Sequence, residues 1–175
     1  MKLASALSLA HSDIPLPPTQ LGCGTKNGAD TLIHEFRRRI QEGQCGFLAD
    51  CRNAFNTMSR GRLCDAVRES GSPFMTAYWN LAYAQPTPLV CVSRDEKGLS
   101  YKYLESREGA RQGDVSSGRL YCKAQAPIVQ AAEDKSGVSL SPDEDFHRGE
   151  YMDDIGSCVQ SMEAQWAFIQ ALRGE

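Results

Sequence analysis

The chain contains no CxxC pair, and its three histidines, His11, His34 and His147, stand far from any cysteine pair. A zinc site is therefore left without clustered ligands. The seven cysteines are scattered and odd in number, which fits free thiols in a reducing, intracellular compartment better than a disulfide framework. No segment is long and apolar enough to span a membrane. The apolar run at residues 3–10 is short, and His11-Ser12-Asp13 after it is not a typical cleavage context, so it reads as an amphipathic helix rather than a signal peptide. No internal repeat is visible. An overall basic charge is also missing: the net charge of -3 gives no bulk signature of nucleic-acid binding.

What is present is ordinary for a globular domain. The 175 residues, 41% hydrophobic and 23% charged, suffice for one modest core. Positive charge is uneven, with Lys26, Arg37, Arg38, Arg39, Arg52, Arg60, Arg62 and Arg68 in the first half, so a local basic face is compatible with the total.

Periodicity and punctuation give an α+β order. A helix over residues 2–11 ends at the Pro-rich 14–18 stretch, and a Gly-containing loop spans 22–28. A helix from Asp30 carries Leu32, Ile33, Phe36 and Ile40 on one face and stops at Gly43. Residues 45–49 read as a buried strand ending at Asp50. Helices follow Ser59 and Ser72-Pro73, the latter with Ser as cap and Pro at the first turn. Residues 89–92 and 101–104 read as a hairpin across Asp95-Glu96-Lys97-Gly98. A polar loop at 108–114 leads into a helix over 116–132, expected to bend at Pro127. Two short strands then flank Asp153-Asp154, and a helix capped by Ser161 carries Trp166, Phe168, Ile169 and Leu172. The expected architecture is one mainly antiparallel sheet with helices packed on one face.

Three segments carry chemistry. Tyr151-Met152-Asp153-Asp154 places adjacent carboxylates on a turn between strands, where hard divalent cations find suitable oxygen ligands. Asp50, at the end of a strand, is held rigidly enough to be a third ligand; taken alone, it reads more simply as a cap on the following turn or helix. In Arg107-Glu108-Gly109-Ala110-Arg111-Gln112-Gly113-Asp114, glycines allow close backbone approach and the Gln112 amide can reach a base, sugar or phosphate. Alone, that segment is an ordinary turn before a helix.

In this order the three segments resemble motifs A, B and C of a reverse transcriptase palm. They are most similar to those of non-LTR retrotransposons, in particular trypanosomatid site-specific elements inserted in spliced-leader genes. The Pro18-Thr19-Gln20-Leu21-Gly22-Cys23-Gly24-Thr25-Lys26-Asn27-Gly28-Ala29-Asp30 segment resembles the stretch preceding motif A there, so the likeness covers about residues 18–165. It implies an N-terminal helix and Pro-rich segment at 1–17, then a palm at 18–175 with partial fingers and no thumb.

The resemblance implies metal-ligand roles for Asp50 and Asp153, with Asp154 beside them nearer the primer end. It places Phe55 where an aromatic ring blocks a ribose 2′-OH, with plain core packing as the alternative. Gln112 and Gly113 fall beside the incoming nucleotide, and Arg111 is expected to face phosphate or solvent. The implied reaction is RNA-directed DNA synthesis: a primer 3′-OH attacks the α-phosphate of a dNTP, with two Mg²⁺ ions, or Mn²⁺ in their place. Implied partners are an RNA template, a DNA primer and dNTP, without a membrane, in the nucleus of a cell expressing the element.

Some features depart from that family. Gln112-Gly113-Asp114 continues into Val115-Ser116-Ser117-Gly118-Arg119, more polar than the usual Pro and apolar stretch. Lys26 and Arg37 to Arg39 do not match the fingers residues that hold a triphosphate. The chain ends about twenty residues past Asp154, so primer grip and thumb are expected to be missing. These departures support a competing expectation: an inactive, truncated retroelement remnant, at most a nucleic-acid or protein binding module. Another two-metal enzyme, such as a cyclase, accounts less well for Gln112-Gly113.

Overall fold

The computed structural model describes residues 14–138 and 148–174. The helix expected over residues 2–11 lies outside them. The described chain is mixed α and β, with helices α1 (Gly28–Gln41), α2 (Ala54–Thr57), α3 (Arg60–Glu69), α4 (Pro73–Ala82), α5 (Ser117–Ser136) and α6 (Met162–Arg173). The strands are β1 (Cys45–Ala49), β2 (Thr87–Asp95), β3 (Gly98–Ser106), β4 (Arg148–Tyr151) and β5 (Asp154–Val159).

Local chemistry accounts for most boundaries. The Ser59, Ser72 and Ser161 hydroxyls accept from the backbone N–H groups of Gly61, Met75 and Ala164, satisfying donors that a helix start leaves unpaired. Pro73 occupies the first turn of α4, where it has no intrahelical N–H to lose. Helix α5 runs through Pro127 and extends four residues past the expected end, to Ser136. The Asp95–Gly98 connection closes the β2–β3 hairpin, with the Lys97 N–H donating to the Asp95 carboxylate.

The expected single sheet is two. Strands β1, β5 and β4 form an antiparallel sheet in the order β1-β5-β4, and β2 pairs with β3 alone. That ribbon is exposed on both faces, with Val90, Val92, Leu99, Tyr101 and Tyr103 open to solvent. The expectation of helices on one face is also corrected. In the β1–β5 register, Ala49 pairs with Ile155 and Phe47 with Ser157, and this face meets α5 and α6 through Val129, Ala132 and Phe168. Gly46 and Gly156 belong to the opposite face, where the Ile40 and Phe36 side chains of α1 lie against them. Strand β1 is consequently not buried throughout: Leu48, on the α1 side, is 70% exposed.

Helix α5 ties two apolar clusters together. Its first half packs Leu120 and Tyr121 with Leu63, Val67, Met75 and Trp79 of α3 and α4. Its second half supplies Val129 and Ala132 to the sheet cluster with Ile155, Val159 and Phe168. Burying such side chains contributes about 1.5–3 kcal/mol each, so α5 fixes the sheet relative to the α3–α4 layer. The turn between β4 and β5 is thereby held beside the loop preceding α5.

Candidate active site

The Tyr151–Asp154 pair closes the β4–β5 hairpin, leaving Met152 and Asp153 as its two loop residues. Met152 has φ 57, a left-handed conformation that a side chain resists, so the turn needs support from outside. That support is the buried side chain of Gln20, which hydrogen-bonds to both polar backbone groups of Met152. Gln20 lies in the segment quoted before motif A, but nothing local in the sequence tied it to residue 152.

Strand β1 delivers Asp50 to the same edge. One step past the Ala49–Ile155 pair brings Asp50 level with Asp154, which opens β5. The capping role open to Asp50 is not taken: the N-cap of α2 is Asn53, and no side chain caps that helix. Asp50 and Asp154 instead line a cleft of about 550 Å³ together with Tyr151, Arg37 and the apolar side of α1. Partial burial raises the Asp154 carboxyl above its ordinary pKa, and the charges of Asp153 and Asp50 add to the rise. Asp153 lies on the side of Cys51 and Tyr121, whose pKa values its charge helps to raise.

Three carboxylates of this kind suit a hard divalent cation. None of them is engaged by a cation or donor side chain among the described residues, and their mutual repulsion is what a bound cation relieves. Among the described residues no three Asp, Glu, His or Cys side chains close as a ready-made metal cage. The donor chemistry fits Mg²⁺ or Mn²⁺ ions that complete their shells with water and substrate phosphate, as Mg²⁺ commonly does.

On the other side of the turn, Phe55, Gln112, Gly113, Gly118 and Met152 line a second pocket of about 350 Å³. The Phe55 ring also packs against Tyr121, centroid to centroid 4.8 Å, so it is both a core contact and a pocket wall. Gly113 has φ 84 and no atoms near its missing Cβ, leaving its backbone open to a ligand. The loop is braced from below. Tyr78 and Tyr83 donate their hydroxyls to the Asp114 carboxylate, which also accepts from the Ser116 backbone and hydroxyl. Burial alone pushes Asp114 upward; the tyrosine and serine hydrogen bonds outweigh it and hold the carboxyl below its ordinary pKa. Burial, together with the Asp114 bond, pushes Tyr83 up to about 12.

The Arg111 side chain stays exposed while joining this brace. Its guanidinium donates to the Ala82 carbonyl and the Thr87 hydroxyl and lies over the Tyr83 ring. Several basic residues of the first half are also paired. Arg38 and Arg39 pair with Glu35, while Arg60 donates to the carbonyls of Gly109, Tyr83 and Gln85. Arg37 lines the cleft that holds Asp50 and Asp154.

The structure thus brings Asp50, Asp153 and Asp154 to one sheet edge, and Phe55, Gln112 and Gly113 to one adjacent pocket. The sequence did not disclose Gln20, or the Asp114, Tyr78 and Tyr83 brace, because their partners lie tens of residues away. Compared with known proteins, the chain matches no family model and no curated protein. No described helix is long and apolar enough to cross a membrane.

Proposed function

We propose that the chain is the palm of an RNA-directed DNA polymerase of the non-LTR retrotransposon kind, extending a DNA primer with dNTP on an RNA template. The reading rests chiefly on one juxtaposition: a carboxylate edge and the pocket lined by Phe55, Gln112 and Gly113 meet at the Met152 turn. Asp50, Asp153 and Asp154 would hold two Mg²⁺ or Mn²⁺ ions. Bound there, these ions supply a lowered pKa for the primer 3′-hydroxyl and charge neutralisation for the departing pyrophosphate. Phe55 walls the pocket where a ribose 2′-OH would collide. The Gln112 amide offers a donor and an acceptor, and the open Gly113 backbone admits a phosphate or sugar. The element's own biology would place this activity in the nucleus.

The test is primer extension on an RNA template with Mg²⁺, comparing the chain with Asp153→Asn. Extension by the parent chain and its loss in the variant support the reading. A folded, soluble preparation that extends no primer refutes it for this chain. A second reading, a palm-derived binding module without polymerase activity, draws on the exposed apolar faces of β2 and β3. It predicts nucleic-acid or protein binding that is indifferent to Asp153→Asn.

A further inference from the structure

We propose that Gln20 is the positioning residue that sets the Asp153–Asp154 carboxylates, by locking the backbone of Met152. The proposal rests on the reading of those carboxylates as divalent-cation ligands. Gln20 is 2% exposed, and its amide is fully used. Its Oε1 accepts from the backbone N–H groups of Met152 at 2.9 Å and Gly22 at 3.0 Å. Its Nε2 donates to the Met152 carbonyl at 3.2 Å and to the Glu150 carboxylate at 3.5 Å. These are the two acceptor and two donor positions a primary amide possesses.

The geometry explains why one side chain suffices. The Met152 N–H belongs to the peptide plane shared with Tyr151, and its carbonyl to the plane shared with Asp153. Because each plane is rigid, tethering both leaves the φ and ψ of Met152 no freedom, and that residue sits at φ 57. The next Cα is that of Asp153. The tether is itself anchored: Gln20 bridges Glu150 in parallel, with Leu21 N–H donating to the Glu150 carbonyl at 2.7 Å and Glu150 N–H to the Thr19 carbonyl at 2.8 Å. Gly22 lies flush on the turn, since a Cβ there would stand 2.4 Å from the Met152 nitrogen. Thr19 binds the Glu150 carboxylate in the same anchor without touching Met152, which makes it a control.

The experiment compares parent, Gln20→Ala and Thr19→Ala by amide hydrogen exchange at Met152 and Asp153, Mn²⁺ affinity from the paramagnetic resonance of the free ion, and thermal melting. Gln20→Ala is expected to speed Met152 exchange and weaken Mn²⁺ binding, each by about tenfold, as loss of ordinary hydrogen bonds would. Thr19→Ala is expected to lower the melting temperature without moving either readout. Equal weakening of Mn²⁺ by both variants, or unchanged Mn²⁺ affinity in Gln20→Ala, overturns the proposal. Should the alanine variant not fold, Gln20→Met keeps the side-chain length and lacks both the donor and the acceptor. It is then expected to release both backbone groups of Met152, weakening Mn²⁺ binding, and unchanged affinity overturns the proposal there too. If the parent binds no Mn²⁺, the polymerase reading fails. The positioning role is then decided by exchange alone: acceleration at Met152 and Asp153 in Gln20→Ala but not in Thr19→Ala sustains it, and no difference overturns it.

Discussion

Asp154 opens β5 level with Asp50, one step beyond the Ala49–Ile155 pair, so two carboxylates face one cleft from neighbouring strands. Burial, with the charges of Asp153 and Asp50, raises the Asp154 pKa. A carboxyl with a raised folded-state pKa favours the fold at low pH and penalises it once pH climbs through that value. Asp154→Asn is therefore expected to raise the melting temperature at pH 7 by about 1–2 °C, a small effect because the group is largely exposed. The gain should vanish at pH 3, where the parent carboxyl is protonated in both states. An equal gain at both pH values would show that charge repulsion is not the cause. On the polymerase reading, saturating Mg²⁺ should narrow the pH 7 difference, because a bound cation would neutralise the same charges.

Gly109 sits where the Phe55 and Gln112 segments touch. Its φ is 67, and a Cβ there would lie 2.4 Å from the Asn56 carbonyl carbon and oxygen and from the Phe55 oxygen. These are backbone atoms that cannot rotate away. Gly109 N–H donates to the Met58 carbonyl and Ala110 N–H to that of Phe55, so relief by movement would break the junction. Gly109→Ala is expected to cost about 3 kcal/mol in urea unfolding, combining left-handed strain with overpacking. A loss below about 0.5 kcal/mol, the scale of a neutral surface change, would show that the loop is free to shift.

The elements legible in the sequence are those with local causes. Ser72-Pro73 announces the start of α4, alternation with a turn announces β2–β3, and the two short runs around Asp153 announce β4 and β5. The ordered segments also link Asp50, Phe55, Gln112 and Asp153 through the resemblance they carry. What stayed hidden depends on contacts made across the fold. An apolar stripe on α1 says that the helix packs somewhere, not that it covers the sheet face opposite α5 and α6. The β2–β3 pattern looks the same whether the hairpin joins the main sheet or stands alone. Gln20 is one polar residue among many until it is seen 132 positions from the backbone it holds. The contacts of Arg111 with Ala82, Thr87 and Tyr83 are not legible locally, because those partners come from other elements.

Arg148 opens β4 between two buried acids. Its Nη1 lies 2.5 Å from Glu133 Oε2 and its Nε 3.3 Å from Glu150 Oε1, with Arg148 5% and Glu150 0% exposed. Burial raises the Glu150 pKa, while Arg148 and the Thr19 hydrogen bond pull it down and Glu133 adds to the rise. Arg148→Met removes the cation and leaves the acids to bear their desolvation, an expected loss of about 3–5 kcal/mol at pH 7. Adding Glu150→Gln should restore part of it, because a neutral amide needs no counter-charge. Since Glu150 can also be neutralised by a proton, the deficit of Arg148→Met should shrink as pH is lowered. A deficit unchanged by both treatments would assign it to lost packing of the arginine stem.

Phe55 belongs to both the core and a pocket wall. Its ring packs against Tyr121 at 4.8 Å and walls the pocket that contains Gln112 and Gly113. Phe55→Val removes ring volume from that wall while keeping an apolar residue. The core contact it loses is expected to cost about 1–2 kcal/mol of stability, less than full truncation to alanine. On the polymerase reading, the cleared space admits a ribose 2′-OH, so the ratio of rNTP to dNTP incorporation should rise by about tenfold, a discrimination of the size one steric contact supplies. Single-nucleotide primer extension with each substrate, under conditions where both proteins remain folded, measures that ratio. A variant that loses stability but keeps the parent ratio would confine Phe55 to core packing, and the basis of sugar selection would then lie elsewhere in the pocket.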